Sequence, residues 1–250
     1  MSKGKATEAT WRDTARTVAL AGLLFVGVRT AVAEPFHVPS ESMEPTLLVG
    51  DFMFASKFAY GYSNSSLPFH IDLFRGRILE RAAQRGDVVV FSAPADPSQD
   101  WVKRVVGLPG DTIQMRRGVL HINGAPVGLE RIADFIESDA VGRVRRIPQF
   151  IETLPGGARH LILHSPGLDS LDDTEAVVVP AGHYFVMGDN RSNSLDSRVT
   201  PTHGGVGFLP AVNLIGRADV RHFSVDTRVN WWDPSNWLRA LRLDRIGLIA

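Results

Sequence analysis

From Pro35 onward the apolar residues arrive in short runs, and this segmentation limits the fold more than any other feature. DFMFASKFAYG (51–61), RGDVVVFSAP (85–94) and WVKRVVGLPGD (101–111) are bounded by Gly, Pro and Asp. So are VLHINGAPV (119–127), EAVVVPAGHYFVMGD (175–189) and NLIGRADVRHFSV (213–225). Runs of this length, rich in β-branched and aromatic residues and punctuated by turn formers, read as strands. Asn123-Gly124 between two such runs is a hairpin signal. Helical periodicity is scarce outside the N-terminus; IDLFRGRILERAAQ (71–84) is open to a short helix or a polar excursion. The expected body is antiparallel β with long loops. Residues 128–174 are less regular and carry Gly, Pro and charge. They read as part of an inserted second β lobe over residues 116–180.

With 250 residues, 44% of them hydrophobic, the chain can bury a core in one domain or two small ones. Lys+Arg and Asp+Glu are both 27, which argues against a nucleic-acid partner held by a globally basic surface. The absence of cysteine rules out disulfides, a thiol nucleophile and Cys-type zinc sites. The eight histidines form no HExxH and no tight ligand cluster.

Near the N-terminus, Val18 to Val28 is an uninterrupted apolar run. As a helix it spans about 16 Å, and about 24 Å if extended to Ala33, against a hydrocarbon core of about 30 Å. Lys3, Lys5, Arg12 and Arg16 precede it, so a spanning segment would leave the N-terminus in the cytoplasm. A cleavable signal peptide ending at Ala31-Val32-Ala33 and a soluble core helix are the other readings. The C-terminal NWWDPSNWLRALRLDRIGLIA (230–250) holds three Trp and three Arg. That composition suits a membrane interface or a terminal segment packed on the β body.

PSESMEPTL (39–47) places Ser40 and Ser42 between prolines just after the apolar segment. This is an ordinary loop or the seat of a nucleophile. A serine nucleophile needs a base, most often His, and no histidine here sits in a sequence setting that marks it. The alternative is Lys, which must lose about 3 pKa units to act near neutrality, through burial in an apolar wall. Of four lysines, Lys103 would share a strand face with Trp101 and Val105. It is either an edge-strand residue or a functional one.

Taken together, these blocks resemble the type I signal peptidases. PSESMEPTL is similar to the family's nucleophile box, and GDFMFASKFAYG continues it. RGDVVVF, WVKRVVGLPGD and GDNRSNSLDSR (188–198) resemble the later boxes in the family's order, followed by FLPAVNLIGRA (208–218). The resemblance covers about 35–118 and 180–225. It implies Ser42 as nucleophile, Lys103 as general base, and an oxyanion hole from the Ser42 backbone N–H and the Ser40 hydroxyl. Ser194 would hydrogen-bond and orient Lys103, with Asp196 and Arg198 as a supporting pair. Val38, Pro39, Met43, Leu47, Trp101 and Val102 would line the pocket for the substrate's −1 residue, and Phe36 and Val38 that for −3. An extended substrate would add beside strands near residues 38 and 101. Glu41 stands between the serines where some relatives have Gly, and the second transmembrane segment of some relatives has no counterpart.

The resemblance therefore implies a mainly β, antiparallel catalytic body with a smaller inserted β lobe and one N-terminal transmembrane helix. Residues 1–16 would be a cytoplasmic tail and 17–34 the anchor. Residues 35–115 and 181–250 would form the catalytic domain, and 116–180 the insertion. The implied activity is removal of signal peptides after A-x-A-like sites, through an acyl-enzyme. The enzyme would be single-pass in a bacterial inner membrane, its catalytic domain on the periplasmic face. Its partners would be preprotein signal peptides and the bilayer, with no nucleic acid, metal or organic cofactor. Three rivals fit less well. A self-cleaving repressor-type peptidase needs a DNA-binding module that residues 1–33 cannot supply. A penicillin-binding-type enzyme needs S-x-x-K, which does not occur near Ser42. A non-enzymatic anchored β module that binds exported chains is the rival from another class, and failure of a covalent serine probe to label Ser42 would favour it.

Overall fold

The structure is a computed structural model that describes residues 11–67, 75–138, 143–167, 170–229, 233 and 237–249, without the side chains of 25, 26 and 28–31. Lys3, Lys5, His70, Trp231 and Trp232 lie outside the described residues, as do the first four positions of the 71–84 segment. The remainder of that segment contains no helix and makes one isolated bridge, Ile78 to Tyr62.

Helix α1 spans Trp11–Ala31. It begins inside the segment read as a tail, and Ala33 and Glu34, read as the end of an anchor, already belong to the first strand. Leu20, Leu23 and Leu24 are exposed on it. Among the described residues no helix is both long and apolar enough to cross a membrane.

The body is antiparallel β, as the segmented apolar runs require. Strands β1 (Ala33–His37), β2 (Asp51–Ser56), β3 (Val88–Ser92) and β4 (Asp100–Gly107) come first. An excursion follows, built from β5 (Thr112–Arg116), β6 (Val119–Ile122), β7 (Ala125–Pro126), β8 (Gly128–Arg131) and β9 (Phe135–Ser138). It continues through β10 (Val144–Ile147), β11 (Gln149–Thr153), β12 (Arg159–Leu163) and β13 (Val177–Val178). The chain then returns with β14 (His183–Met187), β15 (Leu209–Pro210), β16 (Leu214–Ser224) and β17 (Gly247–Leu248). The large sheet runs β1-β2-β16-β3-β4-β14-β15, with β17 added on β16. The excursion forms sheets of four, three and two strands. Its 128–174 stretch is thus more regular than its composition suggests, because these short strands satisfy their backbone by pairing rather than by apolar alternation.

Period-two alternation sorts the core. On β3, Val89 and Phe91 pack into one apolar cluster while Val88 and Val90 pack into another, so the strand reads as a continuous apolar run because both faces are covered. A third cluster joins Val106, Phe185 and Met187 of the large sheet to Ile113, Leu120 and Ile122 of the excursion. The Asn123-Gly124 turn between β6 and β7 takes positive φ at both positions, 53° and 80°, the backbone a two-residue hairpin needs.

Lys57 follows β2 directly, is fully buried, and pairs at 2.8 Å with Glu34 of β1. Its backbone N–H also bonds the Val32 carbonyl, so this ion pair fastens the chain where α1 hands over to the sheet. Removing one partner of a buried pair strands a charge, at a cost of about 3–5 kcal/mol. Glu34→Gln is therefore expected to lower the unfolding free energy of the full chain, measured by urea titration in detergent, by about 3 kcal/mol. Adding Lys57→Met should restore most of the loss.

Candidate active site

Ser42 sits in a single 3-10 turn, Glu41–Met43, whose Met43 is anchored in the apolar cluster of β2 and β3. The turn presents Ser42 to β4. Lys103 Nζ lies 2.8 Å from Ser42 Oγ, and Nζ also donates to the Val102 carbonyl at 3.0 Å. Lys103 is only 4% exposed and Ser42 8%. Strand β3 pairs with β4 from Asp100 to Arg104, while β14 pairs with its other side from Arg104 to Gly107. Lys103 thus stands where the second neighbour ends, but it is buried, so the solvent-edge reading of this lysine does not hold. Burial pushes it down from 10.5 to about 8, against the opposing pull of Asp196 and Asp189. Its ammonium lies 5.5 Å from the Trp101 ring centre. Among the described residues Ser42 Oγ bonds no histidine; its other contact is Ser40 Oγ at 3.3 Å.

A bidentate ion pair backs this contact. Arg104, next to Lys103, donates Nε and Nη2 to Asp189 at 2.9 and 2.8 Å, and Thr46 Oγ1 donates to the same carboxylate at 2.6 Å. Burial alone would raise Asp189; the charge and hydrogen bonds of Arg104 outweigh it and hold the group below its usual range. Asp196 behaves alike. It is fully buried, yet Arg198 and the Gly188 N–H keep it low. Behind them Arg191 pairs with Glu152 at 2.8 and 2.6 Å, and His160 lies 3.3 Å from Glu152. Burial would raise Glu152 too, but Arg191 and His160 bring it from 4.5 to about 2.

The turn and the 188–198 loop are laced together. Asn190 N–H donates to the Ser42 carbonyl at 3.1 Å, Asn190 Nδ2 to the Glu41 carbonyl, and Asn193 Nδ2 to the Glu41 carboxylate. A Cβ on Gly188 would fall 2.3 Å from Ser194 Oγ and 2.4 Å from the Ser42 carbonyl. Gly188 is therefore a packing requirement of the site as well as a turn residue. The Ser194 hydroxyl is buried and makes no hydrogen bond among the described residues. The expected bond from Ser194 to Lys103 is not formed; Nζ bonds Ser42 and the Val102 carbonyl instead.

A cleft of about 810 Å³ opens on the pair. Phe36, Pro39, Trp101 and Val102 are on its surface, as the pocket expectation had them. Val38, Met43 and Leu47 are instead fully buried in the cluster behind that wall. Leu171 and Leu195 line the cleft without having been foreseen. Nor were Thr46, Gly188, Glu152 and His160 foreseen as parts of the site. Arg104 had a readable signal, a charge inside an apolar strand; Glu152 and His160 had none. As a possible ion site, Glu41, Glu44 and Glu137 bring carboxylate oxygens within 4.8 Å of one another. Burial, and then the charges of Glu41 and Glu137, push Glu44 up to about 7, so protonation relieves this crowding.

A desolvated amine against a serine hydroxyl, beside an apolar cleft, is equipped for acyl transfer. Comparison with known proteins defines the class. A family model described as "Signal peptidase, peptidase S26" matches residues 11–223, and the chain belongs to that family, whose serine peptidases cleave signal peptides. Signal peptidase I of Rickettsia typhi is 38% identical, with 88% of this chain and 86% of the relative aligned. Signal peptidase I of Rickettsia canadensis is 36% identical, with 97% and 93% aligned. A solved signal peptidase I from Enterococcus faecalis is 26% identical over 55% of this chain and 97% of that chain, at a TM-score of 0.31, which is too low to add to the assignment.

Gly188→Ala must displace Ser194 or the Ser42 carbonyl. It is expected to lower kcat for signal-peptide cleavage by roughly 100-fold with the far-ultraviolet circular dichroism unchanged. Glu152 yields a second expectation. Its folded value lies below its unfolded one, so its contribution is full above about pH 4.5 and is lost as pH falls towards about 2. The acid-side slope of unfolding free energy should be shallower in Glu152→Gln.

Proposed function

We propose that cleavage proceeds through a Ser42/Lys103 dyad, and the 2.8 Å contact between a buried Lys103 Nζ and Ser42 Oγ is the observation that carries this reading. Neutral Lys103 takes the Ser42 hydroxyl proton as Oγ bonds to the scissile carbonyl carbon. The resulting oxyanion is held by the Ser42 N–H and the Ser40 hydroxyl. As the C–N bond breaks, the Lys103 ammonium returns the proton to the leaving amine. Water then attacks the Ser42 ester, giving its proton to Lys103; the bond from the acyl carbon to Oγ breaks, Lys103 passes the proton to Oγ, and the acid product leaves with Ser42 and the neutral amine restored. Asp196 and Arg198 support the loop that carries Ser194, whose role is to pack against Gly188 and bound the cleft.

Substrates carry A-x-A-like sites. The wall formed by Phe36, Pro39, Trp101 and Val102 supports small side chains at −1 and −3, with Val38, Met43 and Leu47 stiffening it from behind. The free side of β4 before Arg104 supports binding of the substrate as an added strand. The exposed leucines of α1, followed at once by β1, support insertion of the helix from residue 17 to its end at Ala31 as an anchor, with 1–16 in the cytoplasm and Ala33 and Glu34 left to the sheet. Residues 35–115 and 181–250 then act as the catalytic domain on the periplasmic face of the inner membrane, and 116–180 as the inserted lobe.

The test is cleavage of an A-x-A preprotein in detergent. Ser42→Ala and Lys103→Ala should fold and lose activity. Because Lys103 must be neutral, kcat/KM should rise with pH and level off above an apparent pKa of about 8, with about a tenth of the maximum at pH 7. Leu at −1 should slow cleavage by at least about tenfold. Near-normal activity in Lys103→Ala would sink the dyad.

A further inference from the structure

A second cavity, of about 510 Å³, shares no lining residue with the cleft. It opens beside Pro45 and Thr46, just after the nucleophile turn. Four of its lining residues are basic, Arg159, His160, Arg221 and Arg245, and none is acidic. Leu161 and Leu248 supply apolar wall.

Arg159 pairs with Glu130 at 3.3 Å and His160 faces Glu152 at 3.3 Å, so the excess positive charge here is that of the arginines gathered on Asp51. Asp51 is the shared carboxylate of Arg245 at 2.7 Å, Arg242 at 3.5 Å and Arg221 at 3.8 Å. Burial, with Arg245 as a like charge, lowers Arg221. The guanidinium groups are also fixed in place. Arg221 Nη1 and Arg245 Nη2 donate to the Thr46 carbonyl at 2.9 and 3.1 Å, and Arg221 Nε to the Arg245 carbonyl. Arg221 Nη2 and Arg245 Nη1 make no hydrogen bond among the described residues and remain as donors. The His160 side chain is 1% exposed, and its Nδ1 is buried without a hydrogen-bond partner among the described residues. A buried polar atom left this way costs free energy unless something fills the site.

We propose that this cavity binds a phosphate-bearing anion. Several guanidinium forks converge more charge and more donors than one carboxylate can use, and they suit a multi-oxygen phosphate. The apolar wall beside them would take an alkyl portion. Free phosphate and a phospholipid headgroup share this chemistry. Occupancy would tie β12, β16 and the 243–249 segment together behind Thr46, four residues past Ser42.

The test measures binding rather than peptidase activity, so it stands apart from the dyad. The full chain in dodecyl maltoside is titrated calorimetrically with inorganic phosphate, at ionic strength matched with chloride, and separately with dihexanoyl phosphatidic acid. Saturable binding is expected, with a shift of the His160 ring nitrogen resonances. Arg221→Gln should weaken it by about tenfold. Arg159→Gln, at an exposed position whose ion pair with Glu130 is solvent-screened, should weaken it less. Binding of inorganic phosphate supports a free anion as the ligand; binding of the phosphatidic acid alone supports a lipid headgroup. If neither ligand saturates, or if both variants bind like the wild type, the proposal is overturned.

Discussion

The Arg104–Asp189 pair is the constraint on which the site rests. One buried guanidinium and one buried carboxylate join the middle of β4, the 188–198 loop and, through Thr46, the stretch that follows the nucleophile turn. These segments lie 58, 85 and 143 residues apart in pairs. Buried ion pairs contribute little net stability because desolvation offsets their attraction. They do penalise every arrangement that leaves one partner alone. Such a pair specifies which segments meet; Lys103 sits one residue from Arg104, and Ser42 four from Thr46, which donates to Asp189.

The same arrangement governs the charge on Lys103. Burial favours the neutral amine, while Asp196 and Asp189 favour the ammonium. Both carboxylates are engaged by arginines, Arg198 and Arg104, which blunts their pull on the lysine. A fold that buried the acids without the arginines would keep Lys103 protonated. These two arginines thus belong to the electrostatics of Lys103, although neither touches it through a hydrogen bond.

Much of the framework was legible before any coordinates. The six apolar runs mark strands of the large sheet and of the excursion, and Asn123-Gly124 marks its hairpin. Family boxes in order mark Ser42, Lys103 and the 188–198 loop. Less legible were the strands of the 128–174 region, which are short, half-exposed and defined by pairing. The buried position of Val38, Met43 and Leu47 was also hidden, since an apolar residue in a box reads equally as pocket wall or as the layer beneath it. Lys57 with Glu34, and Glu152 with Arg191 and His160, are pairings across loops that leave no periodic trace.

What the sequence determined by itself is the class of fold and the chemistry available, because strand periodicity, turn residues and the order of motifs are local properties of the chain. Whether Lys103 is a solvent-edge residue or a buried amine against Ser42 was decided only by tertiary structure. β14 stops pairing with β4 at Arg104, the Ser42 turn and the 188–198 loop close over the gap, and the amine loses its water. Desolvation depends on what distant segments do to one side chain, and no local pattern records it.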